Sequence, residues 1–222
     1  MKKYAVIVAG GSGLRMGTET PKQFLLLNHK PVLWHTINAF LTAYNDIKII
    51  LVLPQEHLVK GEELKKYFVN TVNEISIVVG GTTRFHSVQN GLKLVEKDAI
   101  VFVHDGVRCL ASMGLIERCF EQAMQIGSAI PAVTATDSIR IVEENSHHIA
   151  DRNAIKIIQT PQTFLSNILL AAFNQSYQES FTDEATVVES FGQKVFLCDG
   201  DYNNIKITRP VDLVVAEKIL GL

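Results

Sequence analysis

The chain has 222 residues, 47% of them hydrophobic and 20% charged, which is ordinary globular usage and excludes a disordered, collagen-like or low-complexity chain. A domain of this length buries roughly 70% or more of its unfolded surface, so no covalent or metal staple is needed to hold it together. Lys and Arg number 21 against 23 Asp and Glu, a net charge of -2, so no global positive field recruits nucleic acid or anionic lipid, and an anionic ligand has to be met by local charges.

The first strand-like run, Tyr4 to Ala9, is too short for a signal-peptide core and runs straight into glycines, and no later apolar run reaches the roughly 18 residues of a membrane span. A cytoplasmic protein with no membrane partner is expected. Apolar runs of strand length recur at Ala5 to Val8, Ile47 to Leu53, Ile75 to Val79 and Ala99 to Val103, with helical apolar spacing between them. Their apolar character is continuous, which predicts an α/β fold with a mostly parallel twisted sheet covered by helices on both faces. Pro31 opens a helix to Ala43, Pro54 precedes one over Gln55 to Phe68, and Thr83 precedes one over Arg84 to Val95.

After Ala129 the rhythm changes. Thr134 to Val142 and Ile149 to Thr160 read as two strands joined by a polar turn that ends in His147 and His148, giving a β-hairpin arm over about 134–160. An isolated two-stranded ribbon carrying Ile139, Ile141, Ile149 and Ile157 is marginal in water, so the arm has to lie on the body or on another chain. A helix from Leu165 to Tyr177, another opened by Thr182 and Asp183, a strand Lys194 to Cys198 and a closing helix after Pro210 complete a single domain over 1–222 without repeat or linker. Cys109, Cys119 and Cys198 show no CxxC spacing, which predicts three reduced thiols.

The glycine-rich segment Val8 to Gly17 follows the first strand at the edge where open α/β sheets bind ligands. It is not a Walker A loop, because no Gly-Lys-Ser/Thr follows, and the spacing GxGxxG fails at Met16. What remains is a turn whose backbone N–H groups can line an anion, with Arg15 and Lys22 adding full charges. Asp105 ends a buried strand, where a lone carboxylate is costly, so a metal ion or a cation belongs beside it. His104, next to it, reads as structural.

The run GGSGLRMG (10–17) followed by PKQF (21–24) resembles the phosphate loop of sugar-phosphate and polyol-phosphate nucleotidyltransferases. GGTTRFHSV (80–88), VHDGVR (103–108), DRNAIK (151–156), QTPQTF (159–164), FTDEA (181–185) and NIKIT (204–208) resemble, in the same order, segments of the 2-C-methyl-D-erythritol 4-phosphate cytidylyltransferases. The similarity spans essentially the whole chain. Ribitol-5-phosphate cytidylyltransferases share several of these motifs, and DRN points to the methylerythritol family.

The resemblance implies a Rossmann-like nucleotidyltransferase fold and an enzyme that joins CTP to methylerythritol phosphate, releasing pyrophosphate, in non-mevalonate isoprenoid synthesis. It implies magnesium as cofactor and a homodimer built through the arm. Arg15 and Lys22 are the expected catalytic cations on the triphosphate, with Arg152 and Lys206 acting on the acceptor. Ala9, Gly10, Gly11 and Gly13 are expected to line the nucleotide, Gly80, Gly81, Thr82 and Ser87 the cytosine, and Arg108, Ser138, Thr160 and Thr182 the acceptor. Asp105 and Asn203 are the implied metal ligands, although many members carry Asp where this chain has Asn203. The alternatives are a ribitol 5-phosphate acceptor and a non-catalytic nucleotide-binding module; a module that only binds has no need of Arg15, Lys22 and Asp105 together.

Overall fold

The computed structural model describes residues 1–11, 20–69 and 71–221. Chain order is β1 (Lys2–Val8), a 3-10 turn at Lys22–Phe24, the short ladder of β2 (Leu26–Leu27) and β3 (Lys30–Pro31), α1 (Val32–Ala43), β4 (Ile47–Leu53), α2 (Leu58–Lys65), β5 (Ile75–Val79), α3 (Arg84–Leu92) and β6 (Ala99–Asp105). Then come α4 (Met113–Ile126), β7 (Ser128–Thr134), β8 (Ile139–Val142), β9 (His147–Ala150), β10 (Lys156–Ile158), β11 (Gln162–Leu165), α5 (Ser166–Ala172), α6 (Glu184–Ser190), β12 (Leu197–Asp199) and α7 (Pro210–Ile219).

The four continuous apolar runs are β1, β4, β5 and β6, and they form the parallel half of an eight-stranded sheet ordered β10-β7-β11-β6-β1-β4-β5, with β12 on β7. Successive side chains of a strand point to opposite faces. Tyr4, Val6 and Val8 therefore pack with Val88 and Leu92 of α3, while Ala5 and Ile7 pack with Leu33, Ile37 and Phe40 of α1 and Leu115, Ile116 and Cys119 of α4. Close seating of α3 depends on Gly91, where a Cβ would stand 2.7 Å from Val6 Cγ1 and 3.0 Å from Val52 Cγ2. Register brings Val8 opposite Asp105 on one side and Val52 on the other, and Leu53 opposite Val79, so the carboxyl ends of these strands share one edge.

The second half of the sheet departs from the sequence expectation. β11 runs antiparallel to β6 and β7, and β10 runs antiparallel to β7. These strands are short or interrupted by Pro131, so they carry little periodic signal, and the helix expected from Leu165 begins instead as the end of β11. The expected strand Lys194 to Cys198 shrinks to β12. The arm is also smaller than 134–160: Lys156, Ile157 and Ile158 return to pair with Thr134, Val133 and Ala132, and only β8 and β9 protrude as a separate ribbon. That tip leaves Val142 78% and Ile149 72% exposed. The cysteines are free thiols, with Cys119 Sγ and Cys198 Sγ 3.8 Å apart. Among the described residues no helix is long and apolar enough to cross a membrane.

Candidate active site

The shared carboxyl edge of β1, β4, β5 and β6 opens into a cleft of about 700 Å³. Its floor is stiff because each strand hands its backbone to a neighbour as it ends: Ala9 N–H donates to Val52 O at 3.0 Å, Gly80 N–H to Leu53 O at 2.7 Å, and Gly106 N–H to Val8 O at 2.9 Å. Ala9, Gly10 and Gly11 form one wall and Gly80, Gly81, Thr82 and Thr83 another, with Lys22, Arg84, Ser87, Asp105 and Lys206 facing the space between.

Lys22 is buried and lies along the first glycine turn, where a Cβ on Gly11 would stand 3.7 Å from Lys22 Cε. The neighbouring Gln23 Nε2 donates to Ala9 O at 3.0 Å and so ties this segment to the exit of β1. On the opposite wall, Thr83 caps α3 by accepting from His86 N–H. Ser87 Oγ donates to Thr83 O at 2.9 Å and accepts from Gly81 N–H at 3.1 Å. A Cβ on Gly81 would fall 2.3 Å from His86 Cβ, so this turn admits only glycine without a shift.

Asp105 is the centre of charge. Its Oδ2 meets Lys206 Nζ at 2.8 Å and Arg108 Nε at 3.7 Å, and its Oδ1 meets Arg84 Nη2 at 3.4 Å. Burial pushes this carboxyl up, but Arg84, Lys206 and Arg108 outweigh it and hold the group well below the usual carboxylate range. Arg84 also makes a two-point contact with Glu184, through Nη1 to Oε1 and Nη2 to Oε2, the latter at 3.0 Å. Burial works against the guanidinium charge, while Glu184 and Asp105 raise its pKa, so Arg84 stays charged.

The backbone behind Asp105 is set by a hydrogen-bond relay. Asp105 N–H donates to Thr160 Oγ1 at 3.1 Å, which leaves the Thr160 hydroxyl to donate to His104 Nδ1 at 3.0 Å and His104 Nε2–H to donate to Arg108 O at 2.9 Å. Burial pushes the neutral His104 down to about 4. The unfolded chain takes up this proton near pH 6.5 and the folded protein only near 4, so the unfolded state binds more protons in between. Stability is complete above about pH 6.5 and falls by roughly 3 kcal/mol as pH drops to 4. Urea unfolding without nucleotide or divalent ions should therefore show a loss of about 2 kcal/mol between pH 7 and pH 5, with a flatter profile in His104→Gln. A parent profile no steeper than that of His104→Gln would show that the ring does not contribute this pH dependence.

Of the residues expected from the sequence, Ala9, Gly10, Gly11, Lys22, Gly80, Gly81, Thr82, Ser87, Asp105 and Lys206 meet in the cleft. Gly13 and Arg15 lie outside the described residues. Thr160 lies behind Asp105: it is buried, its hydroxyl oxygen accepts from Asp105 N–H and its hydroxyl donates to His104, and it is not among the residues lining the cleft. Arg108 touches Asp105 and donates from Nη1 to Asn204 O at 2.8 Å, and it too stays out of the cleft wall. Ser138, Arg152 and Thr182 are exposed and are not among its lining residues, with Arg152 Nη1 donating to Thr136 O at 3.1 Å on the arm.

Asn203 is exposed and does not line the cleft. The residue that its segment delivers to Asp105 is Lys206, held in place by Ile207 N–H on Val107 O and by Asn204 Nδ2 on Thr160 O. Among the described residues no three His, Cys, Asp or Glu side chains converge as a metal cage. Asp105 and Glu56 are, among the described residues, the carboxylates that line the cleft, and Asp105 fits magnesium, which is commonly bound by one or two carboxylates together with substrate phosphates. Arg84 and Glu184 were missed although both lie inside recognised motifs, because the motifs stand 100 residues apart and only the fold joins them.

The sequence model of the 2-C-methyl-D-erythritol 4-phosphate cytidylyltransferases matches residues 4–222. A 2-C-methyl-D-erythritol 4-phosphate cytidylyltransferase of Porphyromonas gingivalis is 46% identical over 220 residues, 99% of this chain and 98% of that protein. One from Bacteroides fragilis is 44% identical over 220 residues, 99% of this chain and 100% of that protein. Among solved structures, the 4-diphosphocytidyl-2C-methyl-D-erythritol synthase of Anaerococcus prevotii superposes with a TM-score of 0.83 at 27% identity, covering 100% of this chain and 99% of that one. The 2-C-methyl-D-erythritol 4-phosphate cytidylyltransferase of Francisella tularensis gives 0.79 at 31% identity, covering 98% and 99%. With sequence and fold matched from end to end, the chain belongs to the 2-C-methyl-D-erythritol 4-phosphate cytidylyltransferase family.

Proposed function

We propose that this enzyme transfers the cytidylyl group of CTP to 2-C-methyl-D-erythritol 4-phosphate within the cleft described above, as a step of isoprenoid biosynthesis. The observation that carries the placement is the convergence of Lys22, Lys206 and two glycine turns on one strand edge. An oxygen of the acceptor phosphate attacks the α-phosphorus, the bond from that phosphorus to the bridging oxygen of the β-phosphate breaks, and pyrophosphate leaves. Two anions have to meet, so the protein's task is positioning and charge stabilisation, with no covalent intermediate required.

Lys22 stands against the triphosphate and the charge that builds at the α-phosphorus, a role the family resemblance gives to Arg15 as well. Ala9, Gly10 and Gly11 bring backbone close to the phosphates, while Gly81, Thr82 and Ser87 read the cytosine with small polar groups. Lys206 offers its ammonium to the acceptor phosphate. Magnesium bound with CTP would be held by Asp105 and would neutralise phosphate charge. Arg152, Ser138 and Thr182 belong to the acceptor site, Arg152 and Ser138 through the arm of a second copy of the chain. The exposed Val142 and Ile149 of the arm support that homodimer. Light scattering should give about twice the 24.6 kDa chain mass; a fully active monomer would remove the role of Arg152. The free thiols fit a cytoplasmic setting.

Pyrophosphate release from CTP with each acceptor in turn tests the reading. Methylerythritol phosphate should give the higher kcat/KM, because the contacts to acceptor phosphate and hydroxyls differ between its branched four-carbon chain and the longer, unbranched ribitol 5-phosphate. Equal or higher efficiency with ribitol 5-phosphate would reassign the acceptor.

A further inference from the structure

We propose that Arg84 is a nucleotide-contacting cation of the cleft and that the buried Glu184 is its positioning residue. This rests on reading the cleft as the CTP site. Arg84 is the first residue of α3 and lines the cleft with its side chain 30% exposed. Glu184 is the first residue of α6 and is 1% exposed. Both oxygens of Glu184 grip the inner edge of the guanidinium, which fixes a planar fork that a lysine could not reproduce.

Glu184 is itself held from several directions. Asp183 caps α6 in a reciprocal pair with Thr186. The buried Gln162 on β11 donates to Asp183 Oδ2 at 2.8 Å and accepts from Ala185 N–H at 2.8 Å. Phe181 packs on Phe85, the neighbour of Arg84, with ring centroids 5.5 Å apart. Such a pair is a poor device for stability alone, since apolar residues of similar volume often do as well or better in its place. What it achieves is a charged group held rigid on the cleft wall. The contact from Arg84 Nη2 to Asp105 Oδ1, at 3.4 Å, is long beside the 3.0 Å contact to Glu184. An incoming phosphate oxygen offers a shorter charge-assisted bond than that. Arg84 therefore exchanges Asp105 for a phosphate of the nucleotide while Glu184 keeps its grip, which also frees an oxygen of Asp105.

The test compares affinities for CTP and for cytidine, which lacks the phosphates, in the parent and in the double variant Arg84→Met with Glu184→Leu. Thermal unfolding of the double variant should match or exceed the parent, CTP affinity should fall about tenfold or more, and cytidine affinity should stay within about twofold, because the lost bond is to phosphate alone. Unchanged CTP affinity, or an equal fall for CTP and cytidine, overturns the assignment. Should the double variant fail to fold, Glu184→Gln, which keeps the shape, is judged by the same ratio, and Arg84→Lys should restore only part of the CTP affinity. A parent that binds no CTP overturns the cleft reading as well, whereas parental binding with an unaffected variant sinks only the role of Arg84.

Discussion

Lys22→Ala lowers kcat by on the order of 100-fold or more, with a much smaller change in the KM for CTP. The ammonium is held within the cleft beside the Gly10–Gly11 turn. In the proposed reaction its charge is assigned to the α-phosphorus and the departing pyrophosphate, more than to the charge CTP already carries. An interaction that strengthens in the transition state shows in kcat and kcat/KM together, whereas a group that only holds substrate shows in KM. Steady-state kinetics with CTP and methylerythritol phosphate decide the matter. Near-normal turnover in Lys22→Ala would remove this residue from the reaction, and a rise confined to KM would reduce it to a binding group.

Asp105→Asn raises the magnesium concentration needed for half-maximal rate by about tenfold or more, since an amide oxygen replaces a carboxylate of the proposed magnesium site. The same change leaves Lys206, Arg84 and Arg108 without their shared anion. Lys206 is 42% and Arg84 30% exposed, so water screens much of that loss, and the cost to stability should be about 1–3 kcal/mol rather than that of a fully buried pair. Initial rates across a magnesium titration at saturating CTP, with urea unfolding alongside, separate the two effects. An unchanged magnesium midpoint would mean that the ion is held without Asp105. Asn203→Asp, by contrast, adds a charge on an exposed residue outside the cleft and should move the midpoint little.

Local signals in the chain were sufficient for the parallel half of the sheet and for one side of the cleft. Strands buried on both faces need uninterrupted apolar runs, so Ala5 to Val8 and Ile47 to Leu53 announce themselves, and the glycines and Lys22 that follow the first strand are contiguous in sequence. Thr83 and Asp183 likewise advertise helix starts, because capping is settled within four residues. The antiparallel half was not legible: β10 and β11 have three and four residues, too few for a period to emerge, and their pairing is decided by which neighbour offers a free edge. For the same reason the stem of the arm was read as ribbon, although Lys156 to Ile158 lies on β7. Charge pairing was the other thing only tertiary structure could decide. Asp105 called for a cation or a metal from its buried strand end, but that Lys206 comes to it while Asn203 stays outside, that Thr160 spends its hydroxyl on His104, and that Glu184 grips Arg84 all depend on residues 56 to 101 positions apart being brought within hydrogen-bonding distance. Coulomb and hydrogen-bond energies act over a few ångströms, so a sequence can specify which groups must find partners and only the packed chain selects which partners they find.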